Sequence, residues 1–233
     1  MTHSIDLNEV DVDGAVREAA DAVSGDTRLS FLQKAGAGGA AVMSGGAILG
    51  ALAPSALAAS RNGRPPAKFG KGDIGILNYA LTLEYLEAAF YNGATAAKLP
   101  LSPQAAAFLK VVTTDENAHV AFLKGALGSK AAKEPKFDFK GANTSAKSFL
   151  ETAQVLENTG VHAYSGQALN IEHPKYVKAA LSILTIEARH ASVIGLLNDP
   201  SGEMIAPDGP FDTPLTAAKV LAAVKGTGFI VGF

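Results

Sequence analysis

Glu116-Asn-Ala-His119 and Glu187-Ala-Arg-His190 each place a carboxylate three residues before an imidazole. On a helix, residues three apart are surface neighbours, so each pair presents an oxygen and a nitrogen donor side by side. Two further glutamates repeat in the same way. Glu84 stands seven residues before Tyr91, and Glu157 seven before Tyr164. Seven residues make two helical turns, which returns the side chain to within ~20° of the same face. Pro103 and Pro174 each precede the glutamate of a Glu-x-x-His by thirteen residues. With eleven Glu among 233 residues, a given His has about one chance in twenty of a Glu three positions before it, so two such pairs inside matching frames are not accidental. Together these residues supply four carboxylates and two imidazoles. Oxygen and imidazole donors suit iron or manganese, and two neighbouring cations need anionic ligands that bridge. Without a cation, four inward-facing glutamates would be costly, because buried charges must be paired or neutralised. The flanking Leu83, Val120, Leu156 and Ile186 are apolar, which speaks against a solvated face. The arrangement therefore predicts a centre of two iron or two manganese ions held by Glu84, Glu116, His119, Glu157, Glu187 and His190.

Other residues of suitable type have weaker placement. Glu87 is three residues past Glu84, ~60° around the helix. It is a seventh candidate ligand, with a surface or rim position as the plainer expectation. Glu151 lies ~120° off the Glu157 face and is expected in solvent. His162 is ~140° from Glu157 and reads as a hydrogen-bonded surface or core residue. His173 reads as a helix start, and Phe90, Phe108 and Phe122 as core packing.

The elements that must carry these residues are four helical segments of about 25 residues each, ~37 Å long. The first runs from about Asp73, a plausible N-cap, to Ala97. The second opens with Ser102-Pro103, an N-cap followed by proline at the first helical position, and stops at Gly128. The third runs from Thr144-Ser145 to about Asn170, and the fourth from His173-Pro174 to just before Asn198-Asp199-Pro200. A few residues join the first segment to the second and the third to the fourth, which forces two antiparallel hairpins. About 16 residues join the second to the third, enough to span ~50 Å when extended. The fold class is therefore all-α: a four-helix bundle with one long crossover, as in ferritin-like folds. Residues 198–233 read as a loop and a short helix from Thr216 to Lys225, packing onto the bundle or a partner subunit.

Composition narrows the chemistry further. There is no cysteine, which removes disulfide scaffolds, thiolate zinc sites, iron–sulfur clusters and cysteine nucleophiles. The net charge of −2 leaves no nucleic-acid footprint. No Gly-x-Ser-x-Gly elbow, Walker loop or dinucleotide fingerprint is present. The charge is unevenly spread: residues 1–58 hold three basic and seven acidic side chains, and residues 59–233 hold seventeen and fifteen. Between Lys34 and Arg61 lie 26 uncharged residues rich in Ala and Gly, ending in the small-x-small pattern of residues 54–59. Residues 1–58 thus read as an export leader. Thr27-Arg28-Leu29-Ser30-Phe31-Leu32-Gln33-Lys34 resembles a twin-arginine motif with Leu29 in place of the second arginine. Residues 59–72 read as a linker, and export to the periplasm or cell exterior, with no stable membrane span once the leader is removed, is the expectation.

Residues 73–197 resemble the ferritin-like diiron-carboxylate superfamily. The stretches 77–91 (LNYALTLEYLEAAFY) and 115–119 (DENAH) are similar to its exported branch, which includes desiccation-related proteins. The resemblance implies Glu84 and Glu157 as terminal ligands, Glu116 and Glu187 as bridging ligands, and His119 and His190 as one nitrogen ligand per metal. It implies that Tyr91 and Tyr164 orient carboxylates of the opposite hairpin. It also implies redox chemistry with O2 or peroxide: oxidase, ferroxidase-like or catalase-like. The alternative is a non-catalytic, stress- or desiccation-related metal-binding protein. A homo-oligomer is a further expectation, smaller than a storage cage.

Overall fold

The computed structural model describes residues 63–232. The expected export leader and the first residues of the linker, 59–62, lie outside the described residues. Five α-helices follow: α1 (Gly72–Ala97), α2 (Pro103–Leu127), α3 (Ala146–Gln167), α4 (Pro174–Asn198) and the short α5 (Ala217–Thr227). Helices α1 and α2 form one hairpin and α3 and α4 the other, with the long connection running between α2 and α3. Among the described residues β-structure is limited to one isolated antiparallel bridge, Phe137 with Ile230.

Local chemistry sets the helix ends. Ser102 Oγ accepts from Ala105 N at 3.2 Å, Ser145 Oγ from Ser148 N at 3.2 Å, and His173 Nδ1 from Lys175 N at 3.3 Å. Each satisfies a backbone donor that the first helical turn leaves without a partner. Asp73 departs from the expected role. The residue before α1 is Lys71, which makes no side-chain cap. Asp73 instead accepts from the backbone N–H groups of Glu172 and His173, at 2.8 and 2.9 Å. It thereby ties the start of α1 to the start of α4.

Helix α1 is the most enclosed of the four long helices, with every residue from Gly75 through Ala88 buried. A helix apolar on nearly all sides has to be enclosed, and the segments that enclose α1 are pinned by its polar residues. Asn78 Nδ2 donates to Phe69 O and Lys130 O, both at 3.0 Å, and its Oδ1 accepts from Ala132 N at 2.8 Å. That one buried amide fixes the entry to α1 and the start of the crossover. The end of the crossover packs through Phe139, whose ring meets Phe90 and Phe229 edge-on at 5.4 Å.

The C-terminal segment packs onto the bundle. Ala217, Val220, Leu221, Val224, Phe229 and Ile230 join the core that holds Phe90 and Phe149. Leu215 N donates to His162 O at 3.1 Å. A Cβ at Gly166 would sit 1.8 Å from Leu215 O, so the tail can cross α3 there only over a glycine. Phe90 and Phe108 are core residues as expected, but Phe122 is half exposed, on the outer side of α2. Helix α4 is long and apolar enough to cross a membrane by length and composition, with mean hydropathy 1.4. Here its Ala180, Ile183, Ala191 and Ile194 are buried in the bundle, on the same side as Glu187 and His190.

Candidate metal centre

Each of the four long helices brings one part of a single cluster to the bundle interior. Helix α1 contributes Glu84 and α3 contributes Glu157, while α2 brings Glu116 with His119 and α4 brings Glu187 with His190. All four carboxylates are fully buried and both imidazoles nearly so. One donor atom from each of Glu84, Glu116, His119 and Glu187 lies within 4.8 Å of the others. The same holds for Glu116, Glu157, Glu187 and His190. Glu116 and Glu187 belong to both groups, so the cluster consists of two overlapping sets that share two carboxylates.

The imidazoles sit against the carboxylates through Nδ1. His119 Nδ1 lies 3.2 Å from Glu84 Oε2, Glu116 Oε2 and Glu187 Oε1. His190 Nδ1 lies 3.1 Å from Glu116 Oε1 and 3.3 Å from Glu157 Oε2. These distances at His190 do not make hydrogen bonds. His190 Nδ1, Glu116 Oε1, Glu157 Oε2 and both oxygens of Glu187 are buried without a hydrogen-bond partner. Buried polar atoms are normally satisfied, and a cluster of exceptions calls for a cause. A cation among these oxygens and nitrogens would meet all of them at once, so the residues present fit a metal.

Tyrosines cross between the hairpins. Tyr91 on α1 donates its hydroxyl to Glu157 Oε1 on α3, and Tyr164 on α3 donates to Glu84 Oε1 on α1. Each fixes one oxygen of a carboxylate and leaves the other facing the cluster. Burial, reinforced by the neighbouring glutamates, holds both phenols well above their usual range, so they remain donors.

The ionisation pattern is that of a site accommodating excess negative charge with protons. Burial and the Glu84 carboxylate push Glu116 up to about 7, against the pull of the two histidines. Burial and the surrounding carboxylates raise Glu187 well above the usual range. For His190, burial disfavours the charged ring, but the Glu116 and Glu157 carboxylates outweigh it and push it up to about 11. His119 is raised further by Glu116, Glu187 and Glu84, also against burial. A bound cation would take over the role of these protons.

Glu87 is not at the rim. It is 3% exposed, and burial together with Glu187, Glu116, Glu157 and Glu84 raises it well above the carboxylate range. The ~60° offset from Glu84 leads to no surface, because α1 is enclosed on that side too. What makes room for it is Gly160 on α3, where a Cβ would meet Glu187 Oε2 at 2.9 Å and Glu87 Oε1 at 3.4 Å. Glu84 to Glu157 is a step of 73 residues, and the same step takes Glu87 to Gly160. The extra carboxylate of one hairpin thus faces the glycine at the equivalent position of the other.

Asp115, unlike Glu87, is a residue that helical spacing did not single out. Its Oδ2 lies 3.1 Å from His190 Nε2, the ring nitrogen that faces away from the cluster. The residues with lesser claims stand apart. His162 pairs with Asp208 at 3.2 Å, Glu151 is exposed beside Lys147, and His173 caps α4.

A helical bundle closing on a buried, internally repeated carboxylate–imidazole cluster defines a ferritin-like protein whose interior is compatible with metal binding. Residues 72–199 match the ferritin-like domain family, and the chain belongs to that family. No individual curated protein matches the chain.

Proposed function

We propose that this is an exported protein whose bundle binds a dinuclear iron or manganese centre and carries out redox chemistry with O2 or peroxide. The observation that carries the reading is the sharing of Glu116 and Glu187 between two donor groups, each with its own imidazole. In this reading Glu84 with His119 would hold one ion and Glu157 with His190 the other, and Glu116 and Glu187 would serve both. Two such ions supply two-electron chemistry when bound. The chain's own residues do the rest. Tyr91 and Tyr164 orient the terminal carboxylates, and Glu87 contributes a further buried acid able to hold a proton or a ligand position. The apolar walls of α1 and α3 keep bulk water and competing nucleophiles away.

Export rests on the leader read in residues 1–58, and the desiccation-related branch on the resemblance of residues 77–91 and 115–119. A small homo-oligomer is part of the same proposal. The test is a pair of assays on protein matured in its native host: ferrous oxidation followed optically, and peroxide consumption. Turnover in either, lost in Glu116→Ala, supports the oxidoreductase reading. Tightly held metal with turnover in neither would instead assign the non-catalytic, stress-related role.

A further inference from the structure

The two halves of the cluster repeat in their ligands but not in what holds them. Glu116 to Glu187, His119 to His190 and Pro103 to Pro174 are all steps of 71 residues, so α2 and α4 are in register with one another. His190 has two supports, both from α2. Asp115 Oδ2 lies 3.1 Å from its Nε2, and the Phe108 ring meets the imidazole edge-on at 6.2 Å between centroids. The same 71-residue step carries Asp115 to Ile186 and Phe108 to Ala179. Neither can do for His119 what its counterpart does for His190. Isoleucine has no acceptor, and alanine has no ring. Among the described residues, His119 makes no hydrogen bond through Nε2 and has no aromatic neighbour.

An imidazole whose outer N–H is held by a carboxylate has its tautomer and ring orientation fixed, and its other nitrogen becomes a better donor. Asp115 holds Nε2–H, which leaves Nδ1 as the atom turned to Glu116 and Glu157. That Nδ1 is also buried with no hydrogen-bond partner, whereas His119 Nδ1 is engaged by Glu84 and Glu116. A cation arriving at His190 therefore meets a ring already aligned from behind by Asp115 and Phe108, and one arriving at His119 meets a ring whose Nε2 no described residue holds and whose Nδ1 is shared with Glu84 and Glu116.

Resting on the dinuclear reading above, we propose that the two cation positions are inequivalent, the His190 position filling first and more tightly, with Asp115 as its positioning residue. Cobalt(II), whose visible absorption reports its coordination, is a suitable probe for titrating the metal-free full chain. Wild type is expected to take up two equivalents in two resolved steps. Asp115→Ile, which gives His190 the same neighbour type as His119, should weaken the tighter step by about 10–100-fold. It should leave the looser step within about threefold. Asp115→Asn keeps an acceptor oxygen and should recover most of the loss, which a merely structural effect of the substitution would not explain. Ile186→Asp should tighten the looser step, and His190→Ala should remove the tighter one. Two equivalents binding in wild type with one common affinity would overturn the inequivalence, as would unchanged steps in Asp115→Ile. Failure of wild type to bind two equivalents would instead overturn the dinuclear reading itself.

Discussion

Tyr91 on the first helix donates its hydroxyl to Glu157 on the third, and the other oxygen of Glu157 faces His190. With the reciprocal Tyr164–Glu84 bond, this places one hairpin's phenol in charge of the other hairpin's carboxylate. Tyr91→Phe keeps the ring and leaves a buried carboxylate oxygen without its donor. We expect a loss of about 1–3 kcal/mol in urea unfolding of the metal-free protein. An unchanged midpoint would mean that the bond contributes nothing to the fold.

Gly160→Ala separates stability from metal binding. Alanine in mid-helix is favoured over glycine by about 0.8–1.0 kcal/mol. The added Cβ, however, would meet Glu187 Oε2 at 2.9 Å and Glu87 Oε1 at 3.4 Å, forcing a shared carboxylate to shift. Metal affinity should fall by about tenfold or more, in the range seen when residues that orient ligands are altered. Thermal unfolding of the metal-free protein should change little. Calorimetric titration with manganese(II) and a melting curve read the two effects separately.

The pH dependence of the metal-free protein has a definite sign. Glu116 moves from 4.5 to about 7 on folding and His190 from 6.5 to about 11. Both hold protons in the folded state that the unfolded chain releases, so both stabilise the fold fully at low pH and lose that contribution as pH rises. The window runs from 4.5 to about 7 for Glu116 and from 6.5 to about 11 for His190. The melting temperature without metal should therefore fall between pH 5 and pH 9. Metal competes with these protons, so the increase in melting temperature on adding metal should widen over the same range. A metal-free melting temperature that rose with pH across this window would contradict the assignment.

Asn78 is the buried pin of the crossover, bonded to Phe69, Lys130 and Ala132. Asn78→Ala removes all three bonds, one of them to the buried Phe69 carbonyl and two to part-buried backbone groups, at a cost of about 1–3 kcal/mol. Hydrogen exchange should show the amides around 130–132 losing protection before those of α3 and α4. Uniform loss across the bundle would count against a local pin.

Much of this architecture was legible in the chain because it is periodic. The Glu-x-x-His pairs and the prolines thirteen residues before them located α2 and α4, their starts and their inward faces together. What escaped depends on neighbours distant in sequence. Asp73 looked like a cap for its own helix, but its acceptors serve residues 172 and 173, about a hundred positions away. Glu87 looked like a rim residue because helical angle says nothing of whether the other sides of a helix are also enclosed. Phe122 looked like core, yet lies on the outer side of α2. Asp115 sits next to a ligand and points to an imidazole 75 residues on. Aligning the two hairpins residue by residue, beyond the ligands, would have exposed two of these. Glu87 against Gly160 and Asp115 against Ile186 are the places where the repeat breaks.

The central claim is that Glu116 and Glu187 hold two cations in common. Anomalous diffraction at the iron and manganese absorption edges, from crystals of protein matured in its native host, tests it directly. The account predicts two peaks inside the bundle, each in contact with both Glu116 and Glu187, one beside His119 and the other beside His190. A single peak, peaks only at surface carboxylates, or no peak at either edge would contradict it.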